Sequence, residues 1–147
     1  MSTSTEVKPA EILMVEDNPA DARLTLEALR DILAGNNLHR VCDGREAMAW
    51  LRQEDQYRDA PRPDIILLDL NMPQKDGRQT LAEIKTDTDL KRIPVVVFTT
   101  STSENDILQV YDLNANCYVA KPADFERFAR TVKSVVEFWL TVARLPE

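Results

Sequence analysis

Five short apolar runs punctuate the chain, at residues 11–15, 38–42, 64–69, 94–98 and 117–120, and each is followed by a longer stretch with helical spacing. Ile65, Ile66, Leu67 and Leu68 in the third run, and Val95, Val96, Val97 and Phe98 in the fourth, have no polar residue between them. A strand that alternates apolar and polar residues can face water on one side. One that is apolar on both faces must be covered on both, which is the situation of a parallel sheet between layers of helices. The pattern therefore predicts an α/β fold: a doubly wound, five-stranded parallel sheet of flavodoxin-like three-layer form, with the common strand order 2-1-3-4-5.

The connecting segments carry helix signals. Asn18 followed by Pro19 reads as an N-cap and first helical position, and Gly35 as the stop, so a first helix is expected over 19–34, with Ala22, Leu26, Leu29 and Leu33 as its apolar stripe. Further helices are expected over 45–52, 77–85 and from a capping box at Ser101–Glu104 to about Leu113. A long last helix is expected over 124–144. Residues 53–62 are polar and flanked by proline and read as a loop. Residues 1–9 read as a flexible tail, with one domain over 10–147.

Composition narrows the function. The net charge of −7 removes the clustered basic surface that a duplex-binding protein needs, so no direct nucleic-acid partner is expected. The two cysteines, Cys42 and Cys117, form no CxxC pair and fall on opposite edge strands, which predicts free thiols and a reducing compartment. Neither a signal peptide nor a membrane-spanning run is visible, so a cytoplasmic location is expected. His39 is the only histidine, which argues against a histidine-based metal site, and it reads as a satisfied strand residue.

In doubly wound folds, ligands bind beyond the carboxyl ends of the strands. There the chain places Glu16-Asp17 after the first run, Asp69 and then Asn71 at the third, Thr99-Thr100-Ser101 at the fourth, and Lys121-Pro122 after the fifth. Each has a bland reading alone: a helix start, a strand-end acid, a satisfied core hydroxyl, a turn. Together they put acids, hydroxyls and one lysine on a single rim. With the first and third strands adjacent, Asp17 and Asp69 lie side by side, and two such carboxylates repel by about 4 kcal/mol near a protein surface. A hard divalent ion relieves that repulsion, and oxygen-only ligands favour Mg²⁺ over zinc. Lys121, about 10 Å away across two strands, can stretch back and hold phosphate oxygens as a point charge. A carboxylate nucleophile, a divalent ion and a lysine are the parts that phosphoryl transfer requires.

Glu16-Asp17-Asn18, the run from Asp69 to Pro73 with Gly77, Thr99-Thr100, Tyr118 and Lys121-Pro122 together resemble the receiver domain of two-component response regulators, over roughly residues 11–142. The resemblance implies that Asp69 accepts a phosphoryl group from a histidine kinase. It implies that Asp17 and Asp69 ligate Mg²⁺ directly with the backbone carbonyl of Asn71, and that Glu16 reaches the metal mostly through water. Thr99 is implied as the switch hydroxyl, Tyr118 as the aromatic that swings in behind it, and Lys121 as the phosphate-binding lysine with a cis bond to Pro122. Such a chain is a signalling receiver that catalyses only its own phosphotransfer and dephosphorylation. Thr100 stands where the family often has a smaller residue, which bears on phosphate lifetime. The loop at 53–62, the extended last helix and the lack of an output domain look most like the single-domain regulators of cyanobacterial phytochromes, so a phytochrome is the expected kinase.

Other classes remain to be weighed. A haloacid dehalogenase-type phosphatase also phosphorylates an aspartate, but needs an acid two residues later, where this chain has Asn71. A nucleotide- or flavin-binding domain needs a glycine-rich loop, and the three glycines, Gly35, Gly44 and Gly77, are far apart. A non-phosphorylated docking module would not need Asp17, Asp69, Thr99 and Lys121. In the last helix, Phe125, Phe128, Ala129, Val132, Val136, Trp139 and Ala143 are spaced to cover the sheet. Val135, Phe138, Leu140, Val142 and Leu145 extend the apolar surface almost around its second half. That surplus predicts a partner face and a homodimer through the last helix.

Overall fold

The computed structural model describes residues 9–70, 72, 76–100, 103–121, 124–143 and 145, without the side chain of Val142. Five strands, β1 (Glu11–Val15), β2 (Asn37–Val41), β3 (Ile65–Asp69), β4 (Val95–Thr99) and β5 (Cys117–Ala120), alternate with five helices, α1 (Pro19–Ala28), α2 (Gly44–Leu51), α3 (Gly77–Thr86), α4 (Glu104–Asp112) and α5 (Phe125–Glu137). The strands are parallel in the order β2-β1-β3-β4-β5, as the sequence implies.

The sheet divides its side chains between two cores because alternate residues of a strand point to opposite faces. Ile66, Leu68, Val95 and Val97 face one way and meet Ala47 and Met48 of α2, Leu81 and Ile84 of α3, and Val110 of α4. Ile65, Leu67, Val96 and Phe98 face the other way and meet Leu29 and the Phe128, Val132 and Val136 stripe of α5. Every residue of β3 and β4 is buried. A fully buried Leu or Val side chain contributes about 1.5–3 kcal/mol, so these central strands anchor whatever stands at their ends.

Short polar caps set where the helices start, and several of them sit at the functional rim. Asn18 Oδ1 accepts from the amides of Ala20 and Asp21, with Pro19 at the first helical position. Asp43, Asp76 and Asp124 cap α2, α3 and α5. The α4 cap is Ser103, which accepts from Asp106 N, rather than Ser101, which lies outside the described residues.

Besides the start of α4 and one-residue shifts elsewhere, the structure departs from expectation most around α1, in the 53–62 segment and at the end of α5. Helix α1 ends at Ala28, and a separate 3₁₀ turn, Ile32–Ala34, follows it. Leu29 and Leu33 still pack inward, but Leu26 is exposed and Thr25 takes the buried position. The 53–62 segment contains a 3₁₀ turn, Asp55–Tyr57. At the end of the chain, α5 widens into a π-type turn over Phe138–Val142, closed by Ala143 N donating to Phe138 O. There Val135, Trp139 and Leu140 pack against the core, so the apolar band does not encircle the helix as exposed surface; Phe138 stays exposed, and so does Phe125, expected to cover the sheet. Cys42 and Cys117 are free thiols at opposite sides of the sheet. His39 pairs with Glu11 at 2.7 Å. Among the described residues no helix is long and apolar enough to cross a membrane.

Candidate functional site

The carboxyl ends of β1 and β3 adjoin, with Val15 paired to Leu68, so the residues that follow meet at the rim. Glu16, Asp17 and Asp69 each place a carboxylate oxygen within 4.8 Å of the others. Glu16 and Asp69 are buried and Asp17 is half-buried. The donor set is oxygen alone, which fits a hard divalent cation.

Lys121 reaches back over the sheet as the sequence implies. Its Nζ lies 3.8 Å from Asp69 Oδ1 and 2.9 Å from Glu16 Oε1, the latter a hydrogen-bonded ion pair. Its backbone N–H donates to Thr99 O at 2.7 Å, which ties the end of β5 to that of β4. Thr99 is fully buried at the end of β4, where Asp69 pairs with Phe98. Tyr118 is half-buried on β5 against the α2–α4 face, and Tyr111 of α4 accepts from its N–H at 3.2 Å. Asn71 and Pro122 lie outside the described residues, and with them the expected carbonyl ligand and the expected cis bond.

Burial of the Glu16 carboxyl raises its pKa from an ordinary 4.5 to about 7, and the Asp69 charge pushes the same way; the Lys121 contact opposes both and is outweighed. Burial acts to lower the pKa of Lys121, but Asp69, Glu16 and Asp21 together raise it. A divalent ion that favours ionised Glu16 and repels the ammonium would reorganise this pair.

Two residues that the sequence does not flag shape the site. Arg40 of β2 donates from Nε to Glu16 O at 3.0 Å and from Nη2 to Asp17 O at 3.3 Å, and so holds the turn that presents both acids. Asp21, in the first turn of α1, brings Oδ2 to 3.5 Å from Lys121 Nζ. Gly77 is the third structural requirement: its N–H donates to Leu70 O at 3.0 Å, and α3 begins directly against the backbone of Asp69.

The response regulator receiver domain model matches residues 12–133. The chain belongs to that family. Among relatives, this receiver is 48% identical over 138 residues to the response regulator Rcp1 of a Synechocystis species, covering 94% of each chain. The crystal structure of the phosphorylated cyanobacterial phytochrome response regulator RcpA superposes with a TM-score of 0.91 at 54% identity, over 95% of this chain and 99% of that one. The Mn²⁺-bound form of Rcp1 superposes at 0.89 with 47% identity, over 95% and 100%. The resemblance to phytochrome response regulators thus extends across nearly the whole receiver. Receivers bind a divalent metal at an acidic pocket, and the Glu16, Asp17 and Asp69 cluster is that pocket here.

Proposed function

We propose that this receiver takes a phosphoryl group from a sensor histidine kinase onto Asp69, with Mg²⁺ held by Glu16, Asp17, Asp69 and the backbone carbonyl of Asn71. The observation that carries the reading is the meeting of three carboxylates within 4.8 Å of one another with an ammonium 3.8 Å from Asp69. An Asp69 carboxylate oxygen attacks phosphorus in line, the bond from phosphorus to the kinase imidazole breaks, and an acyl phosphate results. The ion supplies neutralisation of charge on the phosphoryl oxygens. Lys121 binds one of those oxygens, and the Thr99 hydroxyl donates to another once it turns toward Asp69. Hydrolysis of the acyl phosphate at the same site ends the signal, so the chain catalyses only its own phosphotransfer and dephosphorylation.

The names of the relatives make a phytochrome the favoured kinase. The receiver unit is taken as residues 10–147, working in the cytoplasm without direct nucleic-acid contact. Its output is a second copy of itself, through the last helix, where Phe138 is exposed beside a well-packed core. Acetyl phosphate, or a phosphorylated kinase, is expected to label wild type only with a divalent ion, and Asp69→Asn not at all; labelling of Asp69→Asn at the wild-type level would falsify the assignment.

A further inference from the structure

Lys121 Nζ faces three acids, not two. Glu16 Oε1 is at 2.9 Å, Asp21 Oδ2 at 3.5 Å and Asp69 Oδ1 at 3.8 Å. An ammonium has three N–H donors and no acceptor; Glu16 and Asp21 take two of them, and Asp69, at 3.8 Å, is an ion-pair contact beyond hydrogen-bond range. A phosphoryl group on Asp69 brings its oxygens toward this ammonium, and closing on them draws it away from Glu16 or Asp21. The acids differ in what release costs. The Glu16 and Asp69 side chains are 5% and 10% exposed, whereas that of Asp21 is 43% exposed. A carboxylate that is already half in water loses little by giving up its partner, whereas the buried Glu16 carboxyl has no water to turn to.

Asp21 is well fixed for such a part. Asn18 caps its N–H at 3.1 Å, and its own carbonyl accepts from Thr25 Oγ1 at 3.1 Å. The backbone at the start of α1 thus presents this carboxylate to Lys121 at the rim. It is absent from the group of acids that could share a cation, so its contact is with the lysine and not with the metal.

We propose that Asp21 is a positioning residue that clasps Lys121 before phosphorylation and yields it to the phosphoryl group, so that its charge sets how tightly the site binds the incoming anion. This rests on the reading of Asp69 as phosphoacceptor. Asp21 both competes for the ammonium and repels the anion, and the two effects share a sign: neutralising it strengthens anion binding.

The test uses the whole chain and beryllofluoride with Mg²⁺ as the phosphoryl mimic. Asp21→Asn is expected to bind it roughly two- to fivefold more tightly, the size of a partly exposed charge interaction, with the gain shrinking as salt is added. Asp21→Glu is expected to return toward wild type, with all variants compared at saturating Mg²⁺. In metal-free protein, the melting-temperature shifts of Asp21→Asn and Lys121→Met are expected to be non-additive, since the two groups touch. Unchanged or weaker beryllofluoride binding in Asp21→Asn, or additive shifts, would overturn the proposal. A wild type that forms no Mg²⁺-dependent complex overturns the phosphoacceptor reading and this one with it; a wild type that forms it while Asp21→Asn matches it overturns this one alone.

Discussion

A Cβ added to Gly77 would lie 2.5 Å from the carbonyl oxygen of Asp69 and 2.7 Å from the Cα of Leu70. Both are backbone atoms at the end of the fully buried strand β3, so neither can move without moving the strand. Gly77 is the first residue of α3, so the interior helix propensity of alanine gives it little. The overlap costs more, because forcing a methyl into a packed position typically costs 1–3 kcal/mol. Gly77→Ala is expected to lower stability by about 1–2 kcal/mol in urea unfolding and to weaken Mg²⁺ binding by displacing Asp69. An unchanged unfolding midpoint would mean that α3 slides away freely and that the close approach is not needed.

The burial of Glu16 predicts a pH dependence with a definite sign. Its pKa rises from 4.5 to about 7 on folding, chiefly through burial and then through Asp69. Between those values the folded chain keeps a proton that the unfolded chain has released, so metal-free stability falls as pH rises through this window and levels off above it. Mg²⁺ binding works against the same proton, so its affinity is expected to weaken below about pH 7. The rise in melting temperature on adding Mg²⁺ should accordingly be larger at pH 8 than at pH 6. Glu16→Gln should flatten the metal-free dependence; a slope as steep as wild type in that variant would assign the proton elsewhere.

Sequence reasoning succeeded where the cause was local. Asn18-Pro19 specifies the start of α1 within a single turn, and the unbroken apolar runs of β3 and β4 specify buried parallel strands. It failed where two local signals looked alike. Leu29 and Leu33 continue a helical spacing past Ala28, but a 3₁₀ turn buries them just as well, so the spacing alone could not mark the break. Ser101 and Ser103 are of the same type, one that suits a helix cap, so the sequence alone did not single out Ser103, which the structure shows as the cap. The strand-end acids and Lys121 were legible because topology brings strand ends together. Asp21 and Arg40 were not: their contacts span 100 residues in one case and 24 and 23 in the other, and depend on side-chain reach.

Arg40 offers a direct check on how the acids are held. One guanidinium grips the carbonyls of Glu16 and Asp17 from the neighbouring strand β2. The fork geometry suits arginine and not lysine, whose ammonium is a single point on a flexible stem. Arg40→Ala is expected to weaken Mg²⁺ binding several-fold through a looser turn, while costing only about 1 kcal/mol in stability because the residue is exposed. Arg40→Lys should recover little of the affinity. If calorimetry finds Mg²⁺ affinity intact in Arg40→Ala, the turn is held by Asn18 capping and β1 alone.

The proposed homodimer face can be tested at Phe138. The core packing of Val135, Val136, Trp139 and Leu140 accounts for most of the apolar residues at the end of α5 without any partner. Among the described side chains there, Phe138 is the exception: it is 48% exposed, edge-on to Trp139 at 5.6 Å. On α4, Leu108 and Tyr111 are also exposed, at 61% and 47%. Tyr111 accepts from the backbone of Tyr118, so the α4 surface is joined directly to the strand that carries Lys121 after it. Removing these side chains from water is the driving force available for pairing, at about 25 cal/mol per Å² of apolar surface, and a two-fold arrangement is the commonest way to remove them. Phe138→Glu is therefore expected to shift the chain to monomer while leaving it folded and able to accept phosphate, since the residue lies outside both cores. Sedimentation of the wild type at micromolar concentration, with and without beryllofluoride, reads the outcome. A wild type that sediments as a monomer in both states would sink the homodimer, and loss of kinase-dependent labelling in Phe138→Glu would then assign this face to the kinase.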